Sequence, residues 1–116
     1  MTSEVRLAHS VDRCVQCGFC LPACPTYRLF EREESSPRGR IALAKLLASG
    51  EVEADDATLA TYDECVGCRA CEPACPSGVV YEEVLLYGRE LLAKETRALP
   101  PQVRLLLWYI RRPWLL

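Results

Sequence analysis

The sequence predicts an all-α domain that carries two cysteine-rich loops. Three observations lead there. No stretch alternates apolar and polar residues for long enough to read as a half-buried strand. Several segments repeat apolar residues at helical spacing between recognisable start and stop residues. All eight cysteines fall in two runs, residues 14–25 and 65–76, separated by a segment with helix signals and no hairpin turn.

The elements follow in order. Residues 1–13 read as a short, helical lead-in with Val5, Leu7 and Val11 as its apolar contacts. "TYRLFEREESS", after the first cysteine run, is a mixed segment that turns strongly acidic. "SSPRGRIALAKLLASG" is a well-marked helix. Ser36 can cap it, Pro37 suits its first position, and Gly50 is a natural stop. Ile41, Ala44, Leu47 and Ala48 line its predicted apolar face. "EVEADD" is an exposed connection, and "DDATLATYDE" a short helix that leads into the second run. Beyond Pro76, Tyr81, Val84, Leu85, Gly88, Leu91 and Leu92 form a helical stripe that ends at Pro100 and Pro101. The sequence is thereby divided into a domain over residues 1–98 and an amphipathic tail over 99–116, rich in arginine and tryptophan. The tail reads as a partner contact or as the start of a C-terminal region that the chain lacks.

Composition narrows the function classes. A chain of 116 residues is one domain's worth. Half of it is hydrophobic, but the cysteines are counted in that half, so the apolar core is modest. A formal charge of −2 provides no basic field for nucleic acid. "MTSEVRLAHSVDRC" lacks the apolar core of an export signal. The expectation is therefore a reducing cytoplasm, with peripheral attachment at the inner face of the cell membrane as a further option. There, eight cysteines point to metal ligands and not to disulfides. The run "LLLWYI" at 105–110 falls far short of the ~20 residues needed to span a bilayer.

The cysteine runs carry the chemistry. "CVQCGFCLPACP" and "CVGCRACEPACP" share every cysteine, the first valine, the Pro-Ala pair and the closing proline. Both read C-x2-C-x2-C-x3-C-P, the bacterial iron–sulfur pattern, in which the fourth cysteine of each run serves the other run's cluster. That pattern implies one [4Fe–4S] cluster on Cys14, Cys17, Cys20 and Cys75, and a second on Cys24, Cys65, Cys68 and Cys71. Pro25 and Pro76 lack an N–H and redirect the chain straight after the ligand. Gly18 and Gly67 let the backbone approach a cluster closely and tune it. Structural zinc favours paired cysteines from two sides, and a third cysteine intrudes here. A disulfide framework needs an oxidising compartment, and a redox C-x-x-C pair would use only two thiols.

Other candidates are weaker. Arg38 and Arg40 in "SPRGR" place positive charge in the first turn of a helix, against its dipole. The plainer reading has them solvated or paired with Glu31, Glu33 or Glu34; the functional reading has them facing a cluster or an anionic partner. His9, the single histidine, reads as a surface residue. Trp108, Tyr109, Trp114, Arg111 and Arg112 read as a partner contact before a membrane contact. No catalytic triad, phosphate-binding glycine loop or nucleotide fingerprint stands out.

Taken together, "CVQCGFCLPACPTY", "SPRGRIALAK" and "CVGCRACEPACPSGVVYEEVLLYGRE" resemble the iron–sulfur subunit of glycolate oxidase (glycolate dehydrogenase). The resemblance runs over residues 10–95, without the cysteine-rich "CCG" domains that follow in that family. It implies an α-helical ferredoxin domain with two [4Fe–4S] clusters. Its partners would be FAD-binding dehydrogenase subunits that oxidise glycolate or another 2-hydroxy acid, with electrons passed on toward the respiratory chain. The chain would then be a non-catalytic electron-transfer subunit of an oxidoreductase complex. Iron–sulfur subunits of lactate, glycerol-3-phosphate and heterodisulfide systems, and a free ferredoxin, are the alternatives, with a zinc-stabilised interaction module as the reading from another class.

Overall fold

The computed structural model describes residues 10–96 and 99–112, and side chains within them except 94–96. Val5, Leu7, His9 and Trp114 lie outside the described residues. Among those described, no strand occurs, and the expected all-α class holds. The elements are α1 (Pro25–Phe30), a 3-10 turn (Glu33–Ser35), α2 (Pro37–Ser49), α3 (Asp56–Asp63), α4 (Tyr81–Thr96) and α5 (Pro101–Ile110). No helix among the described residues is long and apolar enough to cross a membrane.

Helix α2 starts and stops as its sequence dictates. The Ser36 hydroxyl accepts the Gly39 N–H, Pro37 occupies the first turn, and Gly50 closes the helix at φ +76°. Ile41 and Ala44 are buried as expected and Leu47 is half-buried, but Ala48 is exposed, because α2 turns only its first two turns into the core. Helix α3 carries a reciprocal cap: Asp55 accepts the Thr58 N–H while the Thr58 hydroxyl accepts the Asp55 N–H. Helix α1 interrupts what reads as a mixed segment. It is only six residues long, started by Pro25 and stopped by Glu31 in the left-handed region, too short to show a period.

Helix α4 packs against both α2 and α3. Its predicted stripe is the core face: Tyr81, Val84, Leu85, Gly88 and Leu92 are buried and Leu91 is half-buried. A Cβ on Gly88 would overlap the Tyr62 ring, so the glycine lets α3 and α4 approach closely. Tyr62 in turn donates to the Arg40 carbonyl at 2.6 Å, tying α3 to the start of α2. Helix α5 differs: none of its residues is buried.

Candidate metal centre

The two cysteine runs have the same backbone, and they turn back at the same places. Leu21 N–H to Gly18 C=O at 3.0 Å matches Glu72 N–H to Arg69 C=O at 3.0 Å. Cys24 N–H to Leu21 C=O at 3.1 Å matches Cys75 N–H to Glu72 C=O at 3.0 Å. The correspondence extends upstream, where Cys14 N–H reaches Val11 C=O and Cys65 N–H reaches Tyr62 C=O. Val11 and Tyr62 are both core residues, a parallel that the cysteine spacing alone does not reveal.

Each run has two left-handed residues at the same two places: Gln16 (φ +59°) and Gly18 (φ +83°) in the first, Gly67 (φ +67°) and Arg69 (φ +59°) in the second. Gly18 and Gly67 therefore occupy different places of the repeat, and each run fills its other left-handed place with a side chain. Crowding separates them further. A Cβ on Gly18 would lie 2.7 Å from Arg38 Nη1, whereas nothing lies within 4 Å of one on Gly67.

The runs line two cavities. Cys14, Cys17, Cys20, Cys71 and Cys75 line one; Cys24, Cys65, Cys68 and Cys71 line the other. Pro37, Cys71 and Tyr81 line both, so the two cavities share a wall. All eight cysteines are free thiols. Among the described residues no three Cys, His, Asp or Glu side chains converge on a single-ion position. The thiols stand around cavity walls, and among the described residues no carboxylate or imidazole lines either cavity. An all-thiol donor set spread around a cavity, with no single-ion position among its members, suits an iron–sulfur cluster. Burial pushes the Cys20 thiol up, and burial together with neighbouring thiols pushes Cys71 to about 12. A bound cluster supplies the positive charge that lets such thiols shed their protons.

The "PRGR" segment is the wedge between the cavities. Arg38 lines the first and Arg40 the second. Arg38 pairs with Glu33 through Nε–Oε1 and Nη2–Oε2, and its Nη1 donates to the Gln16 carbonyl at 3.2 Å. The pairing with Glu33 is the plainer of the two expectations, and the side chain also forms part of the first cavity's wall. Arg40 corrects the expectation of a solvated or Glu31/Glu33/Glu34-paired side chain: it is 0% exposed. Its guanidinium donates to Thr61 C=O at 2.7 Å, to Ser35 C=O at 2.8 Å and to Thr26 Oγ1 at 3.3 Å, with Glu64 at 3.9 Å. Only so full a set of acceptors makes burial of a guanidinium tolerable. Gly39 between them has no room for a side chain, since a Cβ would overlap the Glu33 carbonyl.

Two hydroxyl residues went unread in the sequence. Thr26 lines the second cavity, 3.2 Å from Cys24 Sγ, and Ser77 lines the first. Each sits two residues after the fourth cysteine of its run, a signal present in "CPT" and "CPS".

Residues 10–79 match the family described as 4Fe-4S dicluster domain. The chain belongs to that family. It is an iron–sulfur domain, and its cofactors are [4Fe–4S] clusters. It is 51% identical over 80 residues to the probable glycolate oxidase iron-sulfur subunit of Bacillus subtilis (strain 168), a match that covers 68% of this chain and 18% of the relative. It is 44% identical over 94 residues to the glycolate oxidase iron-sulfur subunit of Escherichia coli (strain K12), covering 78% and 22%. A further relative, an iron-sulfur subunit of the CoB--CoM heterodisulfide reductase of Methanopyrus kandleri, is 32% identical over 89 residues, covering 74% and 41%. The chain thus spans about a fifth of the length of the two glycolate oxidase relatives. No solved structure gives a significant match.

Proposed function

We propose that this chain is an electron-transfer module. One [4Fe–4S] cluster would be held by Cys14, Cys17, Cys20 and Cys75 and a second by Cys24, Cys65, Cys68 and Cys71. It would accept electrons from an FAD-dependent dehydrogenase of glycolate or a related 2-hydroxy acid and hand them on toward a respiratory acceptor. The single observation that carries this reading is the pair of thiol-lined cavities that share a wall at Cys71 and together take in all eight cysteines. Oxidation of a 2-hydroxy acid to its 2-oxo acid releases two electrons, and two one-electron carriers side by side suit their passage one at a time. Cys17 and Cys68 are exposed beside the exposed Val15 and Val66, which supports exchange of electrons at the rim of each cavity. The choice of substrate rests on the two glycolate oxidase relatives.

Residues 1–98 form the proposed cluster-binding domain. Helix α5, within the 99–116 tail, is the proposed docking element for a partner protein, since Leu105, Leu106, Trp108 and Ile110 on it are exposed.

Anaerobic reconstitution should yield about eight irons and eight acid-labile sulfides per chain. A colourless product containing zinc and no sulfide would mean a structural zinc module instead. Affinity capture of the loaded chain from its own cells should retain a flavoprotein that oxidises a 2-hydroxy acid. Capture of several unrelated redox enzymes would indicate a free ferredoxin.

A further inference from the structure

The residue between the two cavities carries a polar group with nothing to donate to. Tyr81 is 4% exposed, lines both cavities, and its hydroxyl has no hydrogen-bond partner among the described residues. Such orphaned buried groups are rare and ask for an explanation. The nearby Arg40 guanidinium acts on the phenol, but arginine has only donors, so it leaves the tyrosine proton without an acceptor. Tyr81 and Cys71 line both cavities together, and Cys65 lines the second with them, so the shared wall puts two of the second cluster's proposed ligands beside this side chain.

We propose that the Tyr81 hydroxyl donates a hydrogen bond to a cysteine sulfur of the second cluster, Cys65 or Cys71, and thereby raises the reduction potential of that cluster alone. The inference rests on the two-cluster reading above. The physical reason is direct. Reduction adds negative charge to the cluster and its thiolates, and a donor aimed at a ligand sulfur favours the state with more negative charge. Tyr81 is a positioning and tuning residue in this account. It moves no electron and loses no proton.

The test is a redox titration of the loaded full-length chain, followed by electron paramagnetic resonance, with Tyr81→Phe beside the unsubstituted protein. The second cluster is assigned as the signal lost in Cys24→Ser. Its reduction equilibrium constant should fall about tenfold in Y81F, or about 59 mV for a one-electron couple, while that of the first cluster moves less than about twofold. Unchanged midpoints, equal shifts in both clusters or a shift confined to the first cluster would each overturn the proposal. If Y81F fails to load, 3,5-difluorotyrosine placed at position 81 decides. Its more acidic hydroxyl should move the same midpoint upward, and no movement overturns the inference. Iron and sulfide content of the unsubstituted chain tests the underlying two-cluster reading separately.

Discussion

The two cysteine loops have one backbone and two different ways of placing a cation beside it. In the first loop the arginine comes from outside: Arg38, on α2, reaches back to the Gln16 carbonyl over a glycine that leaves it room. In the second the arginine belongs to the loop: Arg69 occupies the place equivalent to Gly18 and pairs with Glu72 at 2.9 Å and Glu82 at 2.8 Å. The second cavity also has the buried Arg40 on its wall. The repeat is strict at the sulfurs and the turns, which the bound group dictates, and free at the positions that answer to the surrounding helices.

The largest effect should come from breaking the exchange of ligands. Cys24→Ser should abolish the second cluster and spare the first, although Cys24 lies in the first run; Cys75→Ser should do the reverse. Iron content near half, with one paramagnetic signal remaining in each variant, is the expected outcome. Loss of the same cluster in both variants would refute the crossed assignment.

Next come the two substitutions in the wedge. Arg40→Ala takes the guanidinium donor from the Thr61 carbonyl and leaves the Ser35 carbonyl with the Thr26 hydroxyl, and should cost about 3 kcal/mol. Gly39→Ala drives a methyl group into the Glu33 carbonyl and should cost about 3 kcal/mol. Anaerobic denaturant unfolding of the loaded chain measures both.

The glycines of the two loops separate more finely. Gly67→Ala should cost about 1 kcal/mol, the left-handed backbone alone. Gly18→Ala should cost more, because Arg38 must also leave the Gln16 carbonyl. Arg69→Gly should be close to neutral, since relief of its left-handed backbone offsets the loss of exposed ion pairs.

The smallest effect is acid sensitivity. The hydrogen bond from Arg38 holds Glu33 below its usual carboxylate range; burial pushes Glu72 up, but Arg69 and the backbone N–H groups of Glu82 and Tyr81 together outweigh it and the net shift is downward. A carboxylate depressed in the folded state contributes its stability above its unfolded pKa and loses it as pH falls through the folded value. Both contributions should therefore be present at neutral pH and decline below about pH 4.5. Glu33→Gln and Glu72→Gln should each flatten part of that decline in a pH series of unfolding midpoints.

Much of this was legible in the sequence because it is local. Caps at Ser36 and Gly50 and the stripe on α4 follow from spacing along a single helix. What stayed hidden is non-local. Arg40 reads as a surface charge until Thr26, Ser35 and Thr61, from three separate segments, close around it. Gln16 and Arg69 do not look like left-handed residues, because the loop closure that forces them there is set by the cysteines on either side. The eight thiols line two adjoining cavities, with Cys71 on both, and their assignment to clusters remains the proposal above.

The shared wall has a consequence for the order of events during synthesis. The first cavity needs Cys75 and the second needs Cys71, both supplied by the later run. On the crossed assignment, a nascent chain that has exposed only its first run offers three thiols toward one cluster and a lone Cys24 toward the other. Neither metal group can then be fully ligated until the second run has also left the ribosome, so cluster delivery must wait for both runs.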